Sequence, residues 1–145
     1  MDKPLNSKAN ILLVDDDVLI AESNKFILRK AGYNIAGIAT EGLQAVKLAK
    51  EKQPDLILMD VNLGSSMDGI TAAEEIQKFA DIPFIFLTAY SDPATIERAK
   101  KVGPFGYFIK PFDNRELLVS IETSLYKHSF DKKIKEQELL FGRTS

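Results

Sequence analysis

The stretch Ile11-Leu12-Leu13-Val14-Asp15-Asp16-Asp17 joins four apolar residues to three carboxylates. Later parts of the chain repeat this pattern of a short apolar run followed by polar residues. Four further short apolar runs follow, at residues 33–38, 56–59, 84–87 and 107–109. Several of the runs are continuously apolar rather than alternating, which is typical of strands covered on both faces of a parallel sheet. The runs therefore predict five largely buried strands.

Amphipathic stretches separate the runs. Apolar residues at helical spacing predict helices over residues 19–30, 41–53, 70–80, 92–103 and from 113 onwards. A strand–helix alternation repeated five times predicts an α/β fold with one parallel sheet and helices on both of its faces. In such a fold, ligands bind outside the carboxyl ends of the strands, so polar residues are expected to collect at that edge.

Polar residues do follow four of the five runs. Asp15 and Asp16 follow the first run, Asp60 the third, Thr88 the fourth and Lys110 the fifth. Carboxylates that share a pocket repel one another and need a cation to stay ionised. A ligand set made only of oxygen atoms favours a hard cation such as Mg²⁺. A carboxylate nucleophile beside a cation, a lysine and a hydroxyl is suited to phosphoryl transfer.

The acidic pair Asp15-Asp16, the lone Asp60, Thr88-Ala89 and Lys110-Pro111 together resemble the receiver domain of two-component response regulators. The resemblance covers about residues 9–128. It implies a five-stranded parallel sheet in the order 2-1-3-4-5, doubly wound with five helices in a three-layer sandwich. We expect residues 1–8 to be a flexible N-terminus and residues 129–145 to be a C-terminal helical extension or linker.

The resemblance also implies a role for each polar residue of the site. Asp60 is the implied phosphoacceptor. The implied metal ligands for Mg²⁺, or alternatively Mn²⁺, are Asp15, Asp16, Asp60 and the backbone carbonyl of Asn62. The implied phosphoryl-binding groups are Thr88, the backbone amide of Ala89 and Lys110. Thr88 and Tyr107 are the implied switch residues, and the Lys110–Pro111 peptide bond is expected to be cis.

By the same resemblance, the chain is a phosphorylation-dependent signalling switch rather than an enzyme, and at most assists its own phosphorylation and dephosphorylation. The phosphodonor is the phosphohistidine of a histidine kinase or a phosphotransfer protein. Phosphorylation alters the surface formed by the fourth helix, the fifth strand and the fifth helix. A homodimer through that surface or through the C-terminal helix is a further expectation. One departure from the family is a longer loop after Asp60, without the usual proline.

Composition limits the other functions. The chain has 145 residues, 45% of them hydrophobic and 28% charged, with a net charge of −2, so no basic field favours nucleic acid. It has no cysteine and one histidine, His128, so thiolate or multi-histidine metal sites are excluded. We expect His128 to be solvated. No apolar run is long enough for a signal peptide or a membrane span, which favours a cytoplasmic location.

Two alternative functions stay open. Asp15-x-Asp17-x-Leu19 loosely matches the opening motif of haloacid-dehalogenase-like phosphatases, which also use an aspartyl phosphate and Mg²⁺. That family, however, needs an acidic pair after the lysine strand, which is missing, and it gives Asp60 no role. The second alternative is a receiver-like interaction domain that works without phosphate. The helix after residue 128 is either a linker or dimerisation helix or a frayed end.

Overall fold

The computed structural model describes residues 9–64 and 66–141, with the side chain of Phe141 excepted. The expected flexibility of residues 1–8 and the last four residues of the expected extension lie outside this part of the chain. The strands are β1 (Asn10–Val14), β2 (Asn34–Ala39), β3 (Leu56–Asp60), β4 (Phe84–Thr88) and β5 (Gly106–Ile109). The helices are α1 (Val18–Lys30), α2 (Gly42–Lys52), α3 (Gly69–Gln77), α4 (Pro93–Val102) and α5 (Asn114–Phe141).

The five strands form one parallel sheet in the order β2-β1-β3-β4-β5, so the predicted fold is confirmed. Strand β1 lies between β2 and β3, and Leu13 pairs with Ile38 on one side and with Leu58 on the other. The strand order reverses direction beside β1. The carboxyl ends of β1 and β3 are therefore neighbours at the switch point of the sheet, where ligands bind in folds of this type.

Alternate side chains of the strands enter two separate cores. Leu12 and Val14 of β1 pack in the core beneath α2, α3 and α4. Ile11 and Leu13 pack in the core on the opposite face, beneath α1 and α5. Every residue of β3 and β4 is buried, whereas β2 and β5 are mostly half-buried. The continuous apolar runs thus mark the central strands, because only these are covered on both faces and both edges.

Helix α3 is shorter than the sequence pattern predicts, since it ends at Gln77 rather than near Ala80. The amide of Lys78 donates to the carbonyl of Glu75 at 3.3 Å, and the amide of Phe79 donates to that of Ile76 at 3.1 Å. These bonds span three residues instead of four, which tightens the last turn and ends the helix. The apolar pattern continues past this point because Ala80 still packs against the core.

Helix α5 is one helix of 28 residues, about 42 Å long at 1.5 Å per residue. Leu117, Ile121 and Leu125 bury its first half against the sheet, and no described residue after Leu125 is buried. The expectation that His128 is solvated is wrong. Its side chain is only 21% exposed, because its ring packs edge to face against Phe105 at 6.2 Å. Within the described residues, no helix has both the length and the apolar character of a membrane span.

Candidate functional site

Three carboxylates meet at the carboxyl ends of β1 and β3. Asp15 and Asp60 are buried, at 4% and 6% exposure, while Asp16 is exposed at the rim. One carboxylate oxygen from each of the three lies within 4.8 Å of the others. The topology creates this cluster, because adjacent parallel strands end at the same edge of the sheet. An all-oxygen group of this size is a set of ligands that a divalent cation can use.

Local backbone contacts orient each carboxylate. Oδ1 of Asp15 accepts a hydrogen bond from the amide of Asp17 at 2.9 Å, and Oδ1 of Asp60 accepts one from the amide of Asn62 at 3.1 Å. The carboxylate of Asp17 instead caps α1, where it accepts from the amide of Leu19 at 3.0 Å. Asp17 is therefore occupied as a helix cap and is not part of the acidic group.

Lys110 links the two buried carboxylates. Its Nζ lies 3.2 Å from Oδ2 of Asp15 and 3.1 Å from Oδ2 of Asp60. Lys110 directly follows β5, and its backbone amide donates to the carbonyl of Thr88 at 2.8 Å, which places the lysine beside the end of β4. The peptide bond from Lys110 to Pro111 is cis. The ammonium group therefore sits between the ends of three strands.

The charges of the site are only partly balanced. Burial raises the pKa of Asp60, and the nearby charge of Asp15 raises it further, so the hydrogen bond from Lys110 offsets this only in part. Burial lowers the pKa of Lys110, but the hydrogen bond to Asp60 and the two carboxylate charges outweigh it and leave the pKa above its ordinary value. A carboxyl group that is harder to ionise than usual is stabilised by further positive charge. The donor set therefore fits a divalent cation.

Thr88 and Tyr107 both contact the backbone of Tyr90. The side chain of Thr88 is fully buried, and its Oγ1 accepts from the amide of Tyr90 at 3.1 Å. The hydroxyl of Tyr107 donates to the carbonyl of Tyr90 at 2.9 Å, and its ring packs edge-on against Phe86. The exposed Ala89 lies between Thr88 and Tyr90 in the chain. Sequence reasoning did not identify this use of Tyr90, although its position just after the fourth run was a usable signal.

The turn after Asp60 approaches the sheet closely. The amide of Gly69 donates to the carbonyl of Val61 at 2.8 Å. A Cβ atom at Gly69 would overlap the backbone oxygen of Asp60, so only glycine fits at this position. Sequence reasoning did not identify this contact. The turn and the phosphoacceptor candidate therefore share one tightly packed piece of backbone.

Known proteins are similar to this chain in sequence and in fold. The model of the response regulator receiver domain family matches residues 11–122. The transcriptional regulatory protein PdtaR of Mycobacterium tuberculosis is 39% identical over 115 residues, which cover 79% of this chain and 56% of that protein. The signal receiver domain of a modulated diguanylate cyclase from Desulfovibrio desulfuricans aligns with a TM-score of 0.81 at 34% identity, covering 86% of this chain and 98% of that one.

A third match is a CheX–CheY complex from Borrelia burgdorferi that contains BeF₃ and Mg²⁺. It aligns with a TM-score of 0.74 at 26% identity and covers 79% of this chain and 87% of that one. The chain itself spans only about half the length of the mycobacterial relative.

The chain belongs to the response regulator receiver domain family. Receiver domains are signalling domains of two-component systems, and they interact with histidine kinases or phosphotransfer proteins. The haloacid-dehalogenase alternative is not favoured, because the family match is to receivers and Asp17 caps α1 instead of facing the acidic group.

Proposed function

We propose that this domain is a switch in which Asp60 accepts a phosphoryl group from the phosphohistidine of a histidine kinase or a phosphotransfer protein. The carboxylate oxygen of Asp60 forms a bond to phosphorus as the bond from phosphorus to the imidazole nitrogen breaks. The phosphohistidine ring carries a proton on its other nitrogen, so the ring takes the electron pair of the broken bond and leaves as neutral imidazole. The domain supplies position and charge for this step, and the phosphodonor supplies the reactive bond.

The observation that carries this proposal is the placement of Asp60. It is a buried carboxylate at the end of β3, within hydrogen-bond distance of Lys110, in a group of three acidic residues. A purely structural Asp–Lys pair would need one carboxylate for one ammonium group. Two buried carboxylates and a third at the rim, with a single lysine between them, suit a site that receives both a cation and an anionic group.

We propose Asp15, Asp16, Asp60 and the backbone carbonyl of Asn62 as ligands of Mg²⁺, with Mn²⁺ as a substitute. A bound divalent ion supplies positive charge that offsets the charge of the carboxylates and of the incoming phosphoryl oxygens. The burial of Asp15 and Asp60 favours such an ion, since their mutual repulsion is strong in a dry environment. The similar Borrelia complex contains Mg²⁺ together with BeF₃, which supports this assignment.

Three further groups are proposed to bind the phosphoryl oxygens. These are the ammonium group of Lys110, the hydroxyl of Thr88 and the backbone amide of Ala89. Thr88 and Lys110 are joined by the bond from the amide of Lys110 to the carbonyl of Thr88, so the two strands deliver them as a pair. Charge-assisted hydrogen bonds from such donors are stronger than neutral ones, which favours a bound anion.

The proposed switch connects Thr88 to Tyr107. In the present arrangement the Thr88 hydroxyl accepts from the amide of Tyr90, and the Tyr107 hydroxyl donates to the carbonyl of the same residue. Movement of Thr88 toward a phosphoryl group would break the first bond and displace the loop that holds Tyr107. The proposed result is a change in the surface formed by α4, β5 and α5.

That surface already contains a groove of about 810 Å³ between the α4–β5 loop and α5. Phe105, Val119 and Lys127 are among the residues that line it.

We further propose that residues 9–128 form the receiver domain and that residues 129–145 form a helical extension or linker. The change from buried to exposed side chains after Leu125 supports this boundary. Exposed apolar residues continue along the later part of α5, among them Tyr126, Phe130 and Leu140. A homodimer through this helix, or through α4, β5 and α5, would cover them.

The test is incubation with acetyl phosphate and Mg²⁺, followed by measurement of the intact mass. We expect the gain of one phosphoryl group. The gain should be absent without a divalent ion and absent in Asp60→Asn, which keeps the size of the side chain but removes the nucleophilic carboxylate.

Two results would contradict the proposal. Phosphorylation of the Asp60→Asn variant would move the nucleophile to Asp15 and revive the phosphatase alternative. A folded wild-type protein that neither gains mass nor binds beryllofluoride would be an interaction domain that works without phosphate.

A further inference from the structure

Among the described residues, two polar side-chain contacts link helix α4 to its neighbour α3, in addition to their shared apolar core. The guanidinium group of Arg98 meets the carboxylate of Asp68, with Nη1 at 2.9 Å from Oδ2 and Nη2 at 3.4 Å from Oδ1. At the other end of α3, Nε2 of Gln77 donates to the carbonyl of Val102 at 2.6 Å. The first contact is a two-pronged ion pair, a geometry that fixes orientation as well as distance.

The carboxylate of Asp68 has a second role. Its Oδ1 accepts a hydrogen bond from the amide of Thr71 at 2.8 Å, so Asp68 is the N-cap of α3. Burial raises the pKa of Asp68, but the hydrogen bonds from Arg98 and Thr71 outweigh it and bring the pKa below its ordinary range. Asp68 is therefore ionised at neutral pH and is held from two helices at once.

The residue after Asp68 is Gly69, which packs against the backbone of the proposed phosphoacceptor, Asp60. Gly69 leaves no space for even a Cβ atom between α3 and the backbone oxygen of Asp60. Its amide also holds the carbonyl of Val61. Because this packing has no slack, a displacement of Asp68 is transmitted to the backbone of Asp60 and Val61.

We propose that Arg98 is a positioning residue for the phosphoacceptor site: its ion pair with Asp68 fixes the start of α3 against Asp60 and couples that turn to α4. Among the described residues, the ion-pair partner of Arg98 is Asp68 and not a member of the acidic group, so its effect on the site is assigned to the contact with Asp68. The proposal rests on the proposed function, because it assigns the site a dependence on α4. It adds a second route between the site and α4, separate from Thr88 and Tyr107.

The experiment uses the Arg98→Gln variant and two measurements. One is the initial rate of phosphorylation by acetyl phosphate with Mg²⁺, read as intact mass. The other is the position of the backbone amide signals of Asp60, Val61 and Gly69 in the ¹H–¹⁵N spectrum. We expect the rate to fall by about two- to fivefold, which corresponds to the strength of an exposed ion pair, and the three signals to shift.

Three variants separate this route from a general effect on folding. Arg98→Lys keeps the charge but not the two-pronged geometry, so its rate should be intermediate. Asp68→Asn keeps an oxygen that can cap α3 while it removes the charge. Lys78→Gln removes an exposed ion pair between the C-cap residue of α3 and Glu75 of that helix, and it should leave the rate unchanged.

The double variant Asp68→Asn/Arg98→Gln decides the mechanism. If both residues act through one ion pair, the double variant is no slower than the slower single variant. Additive losses, or an Arg98→Gln protein with the wild-type rate and unshifted signals, would overturn the proposal. If the wild-type protein accepts no phosphoryl group, the proposed function fails, whereas the shifts of the three amide signals in the same cycle still test the coupling.

Discussion

Helices α3 and α4 lie side by side on the same face of the sheet, yet they are attached to it by different means. Helix α3 buries five of its nine residues, among them Ile70 and Ile76. Helix α4 buries two of its ten residues, Ala99 and Val102. Apolar contact is the main source of stability in a core, so α3 is fixed mainly by packing and α4 depends far more on polar contacts with α3.

This difference has a consequence for signalling. Elements with few buried apolar contacts open at lower free-energy cost than the global unfolding of the domain. An element with few buried apolar contacts is therefore better suited to change position in response to a local charge. The contrast between the two helices therefore supports α4 as part of the responsive surface, while α3 keeps the β3–α3 turn in place.

The largest effect is expected from removing the packing of α3. Ile76→Ala should lower the free energy of unfolding by about 2–5 kcal/mol, because Ile76 is fully buried in the core. Val102→Ala in α4 removes two methyl groups and should cost about 1–2 kcal/mol. Urea unfolding followed by circular dichroism measures both. Equal losses at the two positions would remove the contrast between the helices.

The next effect concerns the junction of α3 with the site. Gly69→Ala should destabilise the domain by about 1–3 kcal/mol, since the new Cβ atom overlaps the backbone oxygen of Asp60. It should also slow phosphorylation by displacing Asp60. Gly37→Ala is the matched control, because a Cβ atom there would meet only side chains at 3.5 Å or more. If Gly69→Ala were as mild as Gly37→Ala, the turn would have more freedom than its packing indicates.

A smaller expected effect is a pH dependence of the stability that Asp68 contributes through its ion pair with Arg98. The pKa of Asp68 is held below its ordinary value of 3.8, so its stabilising contribution is present above that value and is lost as the pH falls through the lower folded value. Wild-type protein should exceed Asp68→Asn in unfolding free energy by about 0.5–1 kcal/mol at neutral pH. The difference should narrow as the pH falls through the ordinary value of 3.8 and below it. A difference that grows on acidification would contradict the ion pair.

Much of the fold and the site could be predicted from the sequence because both rest on short-range patterns. Strands β3 and β4 are continuous apolar runs, and their burial follows from their central position. Asp15, Asp60 and Lys110 each follow such a run, and a parallel sheet brings the ends of its strands together. The distances from Nζ of Lys110 to Oδ2 of Asp15 and to Oδ2 of Asp60, 3.2 and 3.1 Å, are thus a consequence of topology.

The features that sequence reasoning missed depend on contacts between distant parts of the chain. Arg98 and Asp68 are 30 residues apart, and each belongs to a pattern that a solvated helix face would also show. The contact of His128 with Phe105 joins α5 to the residue just before β5. The requirement for Gly69 arises from the close packing of the β3–α3 turn against the backbone oxygen of Asp60. None of these contacts can be recognised from a periodic pattern of apolar residues in the sequence.

The smallest expected effect tests whether the distance between two charged groups is enough to predict how much their ion pair stabilises the domain. Lys78 and Glu75 approach to 2.6 Å, closer than Arg98 and Asp68 at 2.9 Å. Glu75 lies on α3 and Lys78 is the C-cap of the same helix, and the side chains of Lys78 and Glu75 are 70% and 40% exposed. Water screens such a pair, and it connects two residues that the helix already holds together. Lys78→Gln should therefore leave the urea midpoint of the domain and the hydrogen-exchange protection of α4 unchanged.

Arg98→Gln, which breaks the longer pair, should lower the protection of the α4 amides while leaving that of α3 nearly intact. If Lys78→Gln lowered the protection of the α4 amides more than Arg98→Gln does, the pair between Arg98 and Asp68 would not be what holds α4. Helix α4 would then be held by its own packing. The pair between two helices matters more than the shorter pair within one, because only the former restricts a motion that the backbone leaves free.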